Sequence, residues 1–468
     1  MGEIAEAIEA KIGTKTAAPL GTPVGCVSID SRSLIPGDAF IALRANRDGH
    51  AFVTAALETG AACAIVEQDF PPGAEEKLLR VGDTLAALTD LGRAARARAT
   101  DIGVIAVTGS VGKSGTKEAL KLALAGSGSV YASAKSYNNR WGVPLSLANM
   151  RKNTRFGVFE AGMNHASELS GLTKIIRPHI AIVTTVAPVH LGFFGSVEEI
   201  ADAKAEIFEG LEPGGTAIVN RDNAFYERLK ARALDGGATI VSFGQADAAD
   251  ARLISVELGP EGSDVRADIL GEAIAYRLGS PGRHLVQNSL AVLAAVKLAG
   301  ADLATAAGSL SAWQIQAGRG GQVVIDTPGG KIAIVDESYN ANPASMRAAL
   351  ATLGLTPRAR FRRRVAVLGD MLELGDEGPR LHRELVEHID GAGVDVVFAC
   401  GELMAELYEA LPPDRRGGYT RTAEELAPLL TADIGAGDVV MVKGSLGSRM
   451  APLVEALNAK FAGAGAKP

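Results

Sequence analysis

The segment Thr108-Gly-Ser-Val-Gly-Lys-Ser114 brings glycines, a lysine and hydroxyls together in one short run. Glycines let backbone amides turn inward toward phosphate oxygens, the lysine can reach terminal phosphates, and a serine hydroxyl can ligate Mg²⁺. The context suits that chemistry. A buried strand expected at Ile102–Val107 leads in, and a helix expected at Lys117–Leu124 leads out, with its N-terminus toward the anion. Thr108, Gly109, Ser110, Val111, Gly112, Lys113 and Ser114 are therefore the candidate nucleotide-phosphate residues. The usual pattern has a further glycine where this chain has Val107, so the loop is a shortened variant. A plain Gly/Ser turn between strand and helix is the alternative.

Two other strands end on groups suited to a metal. Phe156-Gly-Val-Phe-Glu160 ends on a carboxylate, and the run Ile180–Val186 leads into Ala-Pro-Val-His190. Open parallel sheets bind ligands beyond the carboxyl ends of their strands. Glu160 and His190 facing a triphosphate could hold Mg²⁺ together with Ser114. Each alone reads as readily as a hydrogen-bonded loop group. Lys204 is harder to place, because in the helix expected at Val197–Leu211 it falls among the apolar Ile200, Ile207, Phe208 and Leu211. Either its stem packs there while the ammonium snorkels to water, or burial favours the neutral amine, which CO₂ converts to an Mg²⁺-binding carbamate. The pattern leaves both open.

Such groups need a scaffold of parallel layers, and the chain supplies one. Short Val/Ile runs alternate with Ala-rich helical stretches, the pattern of an α/β protein, and 468 residues suggest three domains at roughly 150 residues each. A small N-terminal α/β domain is expected over 1–98, with strands at Ala39–Leu43 and Ala61–Val66 around a helix near Phe52–Thr59. The Arg/Ala stretch Gly92–Thr100 reads as a helix leading out of it. A central P-loop ATPase-like parallel-sheet domain follows over 99–313, with a further strand at Thr216–Asn220 and a helix at Asn288–Leu298. A C-terminal Rossmann-like domain is expected over 314–468. It opens after Gly318-Arg-Gly-Gly with a hairpin, Gln322–Asp326 and Lys331–Val335. Asn342-Pro343 starts a helix there, and strands follow at Val365–Leu368, Val394–Ala399 and Val439–Val442. The basic cluster Arg358–Arg364 reads as a solvated loop.

Bulk properties narrow the partners. The net charge of −7 and an aromatic content of 5% argue against a nucleic-acid surface, so phosphate-bearing ligands must be held locally. Cys26, Cys63 and Cys400 form no CxxC pair, which fits a reducing, cytoplasmic compartment. The acidic start lacks a basic leader, and no apolar run reaches the roughly 18 residues that span a bilayer.

Taken with other strings, these residues resemble the Mur ligase family, over nearly the whole chain. The first domain supplies Asp30-Ser-Arg32, Pro36-Gly-Asp38 and Asp48-Gly-His50. The second supplies the phosphate loop, Asn138-Asn139 before Gly142-Val-Pro, Glu160-Ala-Gly-Met-Asn-His165, His190, Lys204 and Gly282-Arg-His284 before Asn288. The third has Asp336-Glu-Ser-Tyr-Asn-Ala-Asn-Pro343, Leu368-Gly-Asp-Met-Leu-Glu-Leu-Gly375 and Val442-Lys-Gly-Ser445. The resemblance is to those members that add D-alanyl-D-alanine to a UDP-N-acetylmuramoyl-tripeptide in peptidoglycan synthesis.

It implies a monomeric, ATP-dependent amide-bond ligase whose three domains close around its substrates. Ser31, Arg32 and the turn Asp48, Gly49, His50 would hold the uridine nucleotide. Lys113 and Ser114 would handle the ATP phosphates. Glu160, His190 and a carbamylated Lys204 would ligate Mg²⁺, as two ions. Asn288 would contact adenine, Arg319 the γ-phosphate, and Asp336, Glu337, Tyr339, Asn340 and Asn342 the nucleotide from across the cleft. His284, Asn138 and Asn139 would lie nearer the peptide. The chain departs from the family pattern at Gly115 in the first helical turn, at Leu285 after Gly-Arg-His, and at Glu337 in place of a frequent aspartate. Two rivals predict differently: a sister ligase adding another amino acid, or glutamate to a folate, lacks Asp30-Ser-Arg or Ser-Tyr-Asn-Ala-Asn-Pro, and a non-catalytic nucleotide switch hydrolyses ATP without peptide or Lys204.

Overall fold

The computed structural model describes residues 1–9, 11–12, 21–45, 47–70, 75–134, 136–315 and 318–462. Three sheets follow one another along the chain, of five, nine and six strands. In the first, Val27–Ser28, Ala39–Ile41, Cys63–Glu67 and Leu78–Val81 run parallel, and Lys11–Ile12 adds antiparallel at the edge. The helix leading out spans Thr84–Arg98, longer toward its N-terminus than the Arg/Ala pattern suggested. Asp83 caps it, its carboxylate accepting from Leu85 N and Ala86 N, which satisfies amides that would otherwise lack partners.

The central sheet carries the phosphate loop at its middle. Gly103–Thr108 lies between Ile180–Val183 and Phe156–Glu160, with Val130–Ala132 beyond the latter and Thr216–Asn220 and Thr239–Gly244 beyond the former, all parallel. Both faces are covered, as a parallel sheet of such apolar strands requires. The helices Lys113–Leu124 and Arg283–Leu298 pack on one side with Ile105 and Val107. Val143, Leu169, Ile200 and Phe208 pack on the other with Val104 and Ala106. Three further strands, Ala251–Gly259, Gly262–Ile269 and Glu272–Leu278, continue the sheet as an antiparallel meander that the sequence reading missed.

In the third sheet Gly321–Thr327 and Gly330–Glu337 form the expected hairpin. Gly330–Glu337 then pairs parallel with Asp438–Lys443, followed by Arg363–Gly369, Val396–Cys400 and Arg416–Thr420. Asn342 forms a capping box with Ser345, with Pro343 opening the helix Pro343–Gly354. The basic cluster needs correction, since it is not a free solvated loop. Arg363 and Arg364 are in a strand, Arg363 is paired with Asp438 and Asp433, and Arg358 with Asp395. No helix among the described residues is long and apolar enough to cross a membrane.

Candidate active site

The strand Gly103–Thr108 ends in a loop whose backbone only glycine tolerates at two places. Gly109 and Gly112 have φ of 146° and 91°. A Cβ at Gly109 would lie 2.0 Å from Thr184 Oγ1, and one at Gly112 would lie 2.5 Å from Asn288 Nδ2. Thr184 follows the neighbouring strand Ile180–Val183, and its hydroxyl donates to Val111 O at 2.6 Å. Ser110 is fastened to the same segment, its amide donating to Thr185 O and its hydroxyl to Ala187 O. Lys113 Nζ donates to Gly109 O at 2.6 Å, so the lysine lies back across the loop. Thr108 Oγ1 is buried without a partner beside it. The loop is pinned by these bonds and opens onto the N-terminus of the helix Lys113–Leu124, a setting suited to a phosphate.

Glu160 ends the adjacent strand and is 1% exposed. Its carboxylate accepts from Ser114 Oγ at 2.6 Å and from Asn138 Nδ2 at 2.7 Å. It forms no ion pair among the described residues, and a buried carboxylate held only by neutral donors is suited to a divalent cation. The described residues contain no group of three or more His, Cys, Asp or Glu side chains arranged around a metal. Ser114 and His190 line the same cavity as Glu160 and could supply further ligands, with substrate and solvent oxygens completing the set. Burial holds the Lys113 ammonium below its ordinary pKa, Glu160 opposing and Arg319 reinforcing the shift. Lys204 is 2% exposed, so its side chain is packed into the core and does not extend along the surface. Its ammonium has no hydrogen-bond partner among the described residues, and burial, reinforced by Lys113, pushes its pKa well down.

A cavity of about 900 Å³ opens in front of the loop, and its far wall belongs to the third sheet. Arg319 stacks on the Tyr339 ring, 4.1 Å from the guanidinium carbon to the centroid, and donates to Ser136 Oγ at 3.0 Å. Asp336 accepts from Gly318 N and from Ser338, and so shapes the turn that carries Arg319 and Tyr339. Glu337 accepts from Lys443 Nζ at 3.0 Å, and that ammonium also donates to Asn340 O. His284 lines the cavity too, its pKa lowered by burial, with Glu337 opposing. Asn139 is on the near wall, its side chain accepting from Gly142 N.

Other expected residues lie elsewhere. Asn288 is buried behind Gly112 and does not line the cavity. Ser31 and Arg32 follow Val27–Ser28, while Asp48, Gly49 and His50 come after the parallel neighbour Ala39–Ile41, so both segments follow strand carboxyl ends of the first sheet. Arg32 is exposed and paired with Asp30. His50 Nε2 accepts from Glu67 N at 3.0 Å, so Nδ1 carries the hydrogen and donates it to Asp48 at 2.7 Å. Three cavity residues were passed over as sites: Lys443, Glu373, whose carboxylate meets His190, and Arg140, stacked on Trp141. The first two stand in the strings Val442–Ser445 and Leu368–Gly375, which already carried the resemblance.

The chain is similar to known proteins over nearly its whole length. Residues 107–296 match the Mur ligase middle domain and residues 322–446 the Mur ligase, glutamate ligase domain. The UDP-N-acetylmuramoyl-tripeptide--D-alanyl-D-alanine ligase of Rickettsia prowazekii is 34% identical over 93% of this chain and 96% of its own. The Escherichia coli protein of that name is 32% identical over 92% and 93%. A crystal structure of MurF from Acinetobacter baumannii has a TM-score of 0.84 at 30% identity, covering 97% of each chain. MurF ligase from Thermotoga maritima in complex with ADP has a TM-score of 0.76 at 25% identity, covering 95% and 99%. Across nearly its whole length, and not at the phosphate loop alone, this chain belongs to the Mur ligase family.

Proposed function

We propose that the chain is an ATP-dependent ligase joining UDP-N-acetylmuramoyl-tripeptide to D-alanyl-D-alanine, giving the UDP-muramoyl-pentapeptide of peptidoglycan synthesis in the cytoplasm. The observation that carries this reading is the shared cavity. It places a phosphate cradle, a buried carboxylate and the Arg319, His284 and Lys443 side chains around one space.

A carboxylate is a poor electrophile and must be activated. An oxygen of the peptide carboxylate attacks the γ-phosphorus of ATP, the bond to the β-phosphate oxygen breaks, and ADP leaves an acyl phosphate. The amine of D-alanyl-D-alanine then attacks the carbonyl carbon, loses a proton, and expels inorganic phosphate. Lys113 and Arg319 face the oxygens on which charge accumulates, and fixed cations in a site of limited solvent access stabilise such charge strongly. Two Mg²⁺ ions would neutralise phosphate charge, held by Ser114 and Glu160, by His190, and by Lys204 as its carbamate. The Lys204 nitrogen can bond to CO₂ and release a proton because its buried amine is disposed to be neutral. Asp48, His50 and Arg32 hold the uridine end, and Asn138 and Asn139 orient the peptide. Much of the remaining acceleration is positioning. With ¹⁸O in the peptide carboxylate, one labelled oxygen should appear in the released phosphate. Unlabelled phosphate alongside labelled product would exclude the acyl phosphate.

A further inference from the structure

The turn beyond the strand Ile180–Val183 makes three contacts with the third domain at successive residues. His190 Nδ1 lies 2.5 Å from Glu373 Oε2. Leu191 packs against both the central core and the core of the third domain. Gly192 N donates to Glu373 O at 3.0 Å. His190 and Glu373 both have left-handed backbones, φ 56° and 64°. That conformation costs a non-glycine residue about 1 kcal/mol or more and persists only where the surroundings hold it. The loop presenting Glu373 is itself fastened. Met371 N donates to His382 Nε2, Leu372 N to Ser445 Oγ, and Met404 N to the Asp370 carboxylate. The carboxylate thus arrives on a rigid frame from a different domain.

We propose that Glu373 is a positioning residue for His190. From the third domain it accepts the Nδ1 hydrogen, fixes the tautomer and leaves Nε2 for a divalent cation, so the imidazole is aligned only while that domain is docked. An imidazole ligand is oriented by the bond its other nitrogen makes, and losing a carboxylate partner typically weakens metal affinity 10- to 100-fold. The pair therefore couples closure of the third domain to completion of the cation site. This inference rests on the ligase reading only in taking the cation to be the one that accompanies ATP.

The test is Mn²⁺ binding by electron paramagnetic resonance, with a non-hydrolysable ATP analogue and no peptide, so its outcome does not depend on which peptide the enzyme uses. Glu373→Ala should weaken Mn²⁺ binding about tenfold or more. Glu373→Gln, which keeps an acceptor but loses the charge, should fall between Ala and wild type. Asp376→Asn, an exposed carboxylate on the same loop, should behave as wild type. Amide exchange should quicken at residues 189–194 in Glu373→Ala while Gly103–Thr108 stays protected, and kcat should fall with little change in KM for either peptide substrate. If Glu373→Ala does not fold, the isosteric Gln variant decides alone. Unchanged Mn²⁺ affinity in a folded variant, or equal weakening by Asp376→Asn, would overturn the assignment.

Discussion

The two walls of the cavity are built on opposite plans. The central-domain wall is held by short local bonds at the ends of three adjacent strands: Lys113 to Gly109, Ser114 and Asn138 to Glu160, Thr184 to Val111, and Ser110 to Thr185 and Ala187. The third-domain wall presents its groups outward. Tyr339 is 39% exposed, Arg319 reaches across to Ser136, and Glu373 reaches across to His190. The first wall is complete within one domain, whereas the second meets the site only through contacts that cross between domains. The comparison therefore predicts preorganised binding on one side and control by domain docking on the other.

Substitutions on the two walls should separate these roles. The largest effect is expected on the central wall, where Lys113→Met should lower kcat about 10³-fold with the fold intact by circular dichroism. Gly112→Ala should instead fail in ATP binding, because its Cβ has no room beside Asn288 and its φ is left-handed. Arg319→Ala should cost about 10²-fold in kcat and leave ATP binding by calorimetry nearly unchanged. Arg319→Lys should not restore it, since stacking on Tyr339 needs the planar guanidinium. Lys443→Met leaves the Glu337 carboxylate without its cation and should destabilise the protein by about 2 kcal/mol in denaturant unfolding.

A pH effect should distinguish the frame behind Glu373. His382 is fully buried, and its pKa is lowered, first by burial, with the bond to Gly378 O opposing. Below about pH 6.5 the unfolded chain takes up a proton that the folded one resists, so stability falls as pH drops toward the lower folded pKa. His382→Gln should flatten that acid-side decline in thermal melts. The smallest change is expected far from both walls. Arg32→Ala should raise KM for the uridine substrate about tenfold and leave Tm unaltered.

What was legible in the sequence follows the same division. The phosphate loop, the strand-end Glu160 and the capped helix after Asn342 are local patterns, and each stands where its residues indicated. The fold class followed from Val/Ile runs that are buried on both faces. The meander Ala251–Leu278 did not, because Glu257, Asp264, Arg266 and Arg277 interrupt strands whose outer face is wet. The helix Thr84–Arg98 was begun too late because its signal is the Asp83 cap, not its Arg/Ala composition. The pairs His190–Glu373 and Glu337–Lys443 join residues 183 and 106 apart in the chain, where no local spacing could connect them. Lys204 read as ambiguous from its place on an apolar helix face, and the structure buries it there.

The central claim is that this cavity joins two substrates at the expense of ATP, and product analysis tests it most directly. Purified protein would be given Mg²⁺-ATP with UDP-N-acetylmuramoyl-tripeptide and D-alanyl-D-alanine, with D-alanine or glutamate as controls, and phosphate release and product masses recorded. Phosphate released only when both substrates are present, with a UDP-muramoyl-pentapeptide formed, is the predicted result. Phosphate release indifferent to the peptide, or a product formed only with another amino acid, would contradict it.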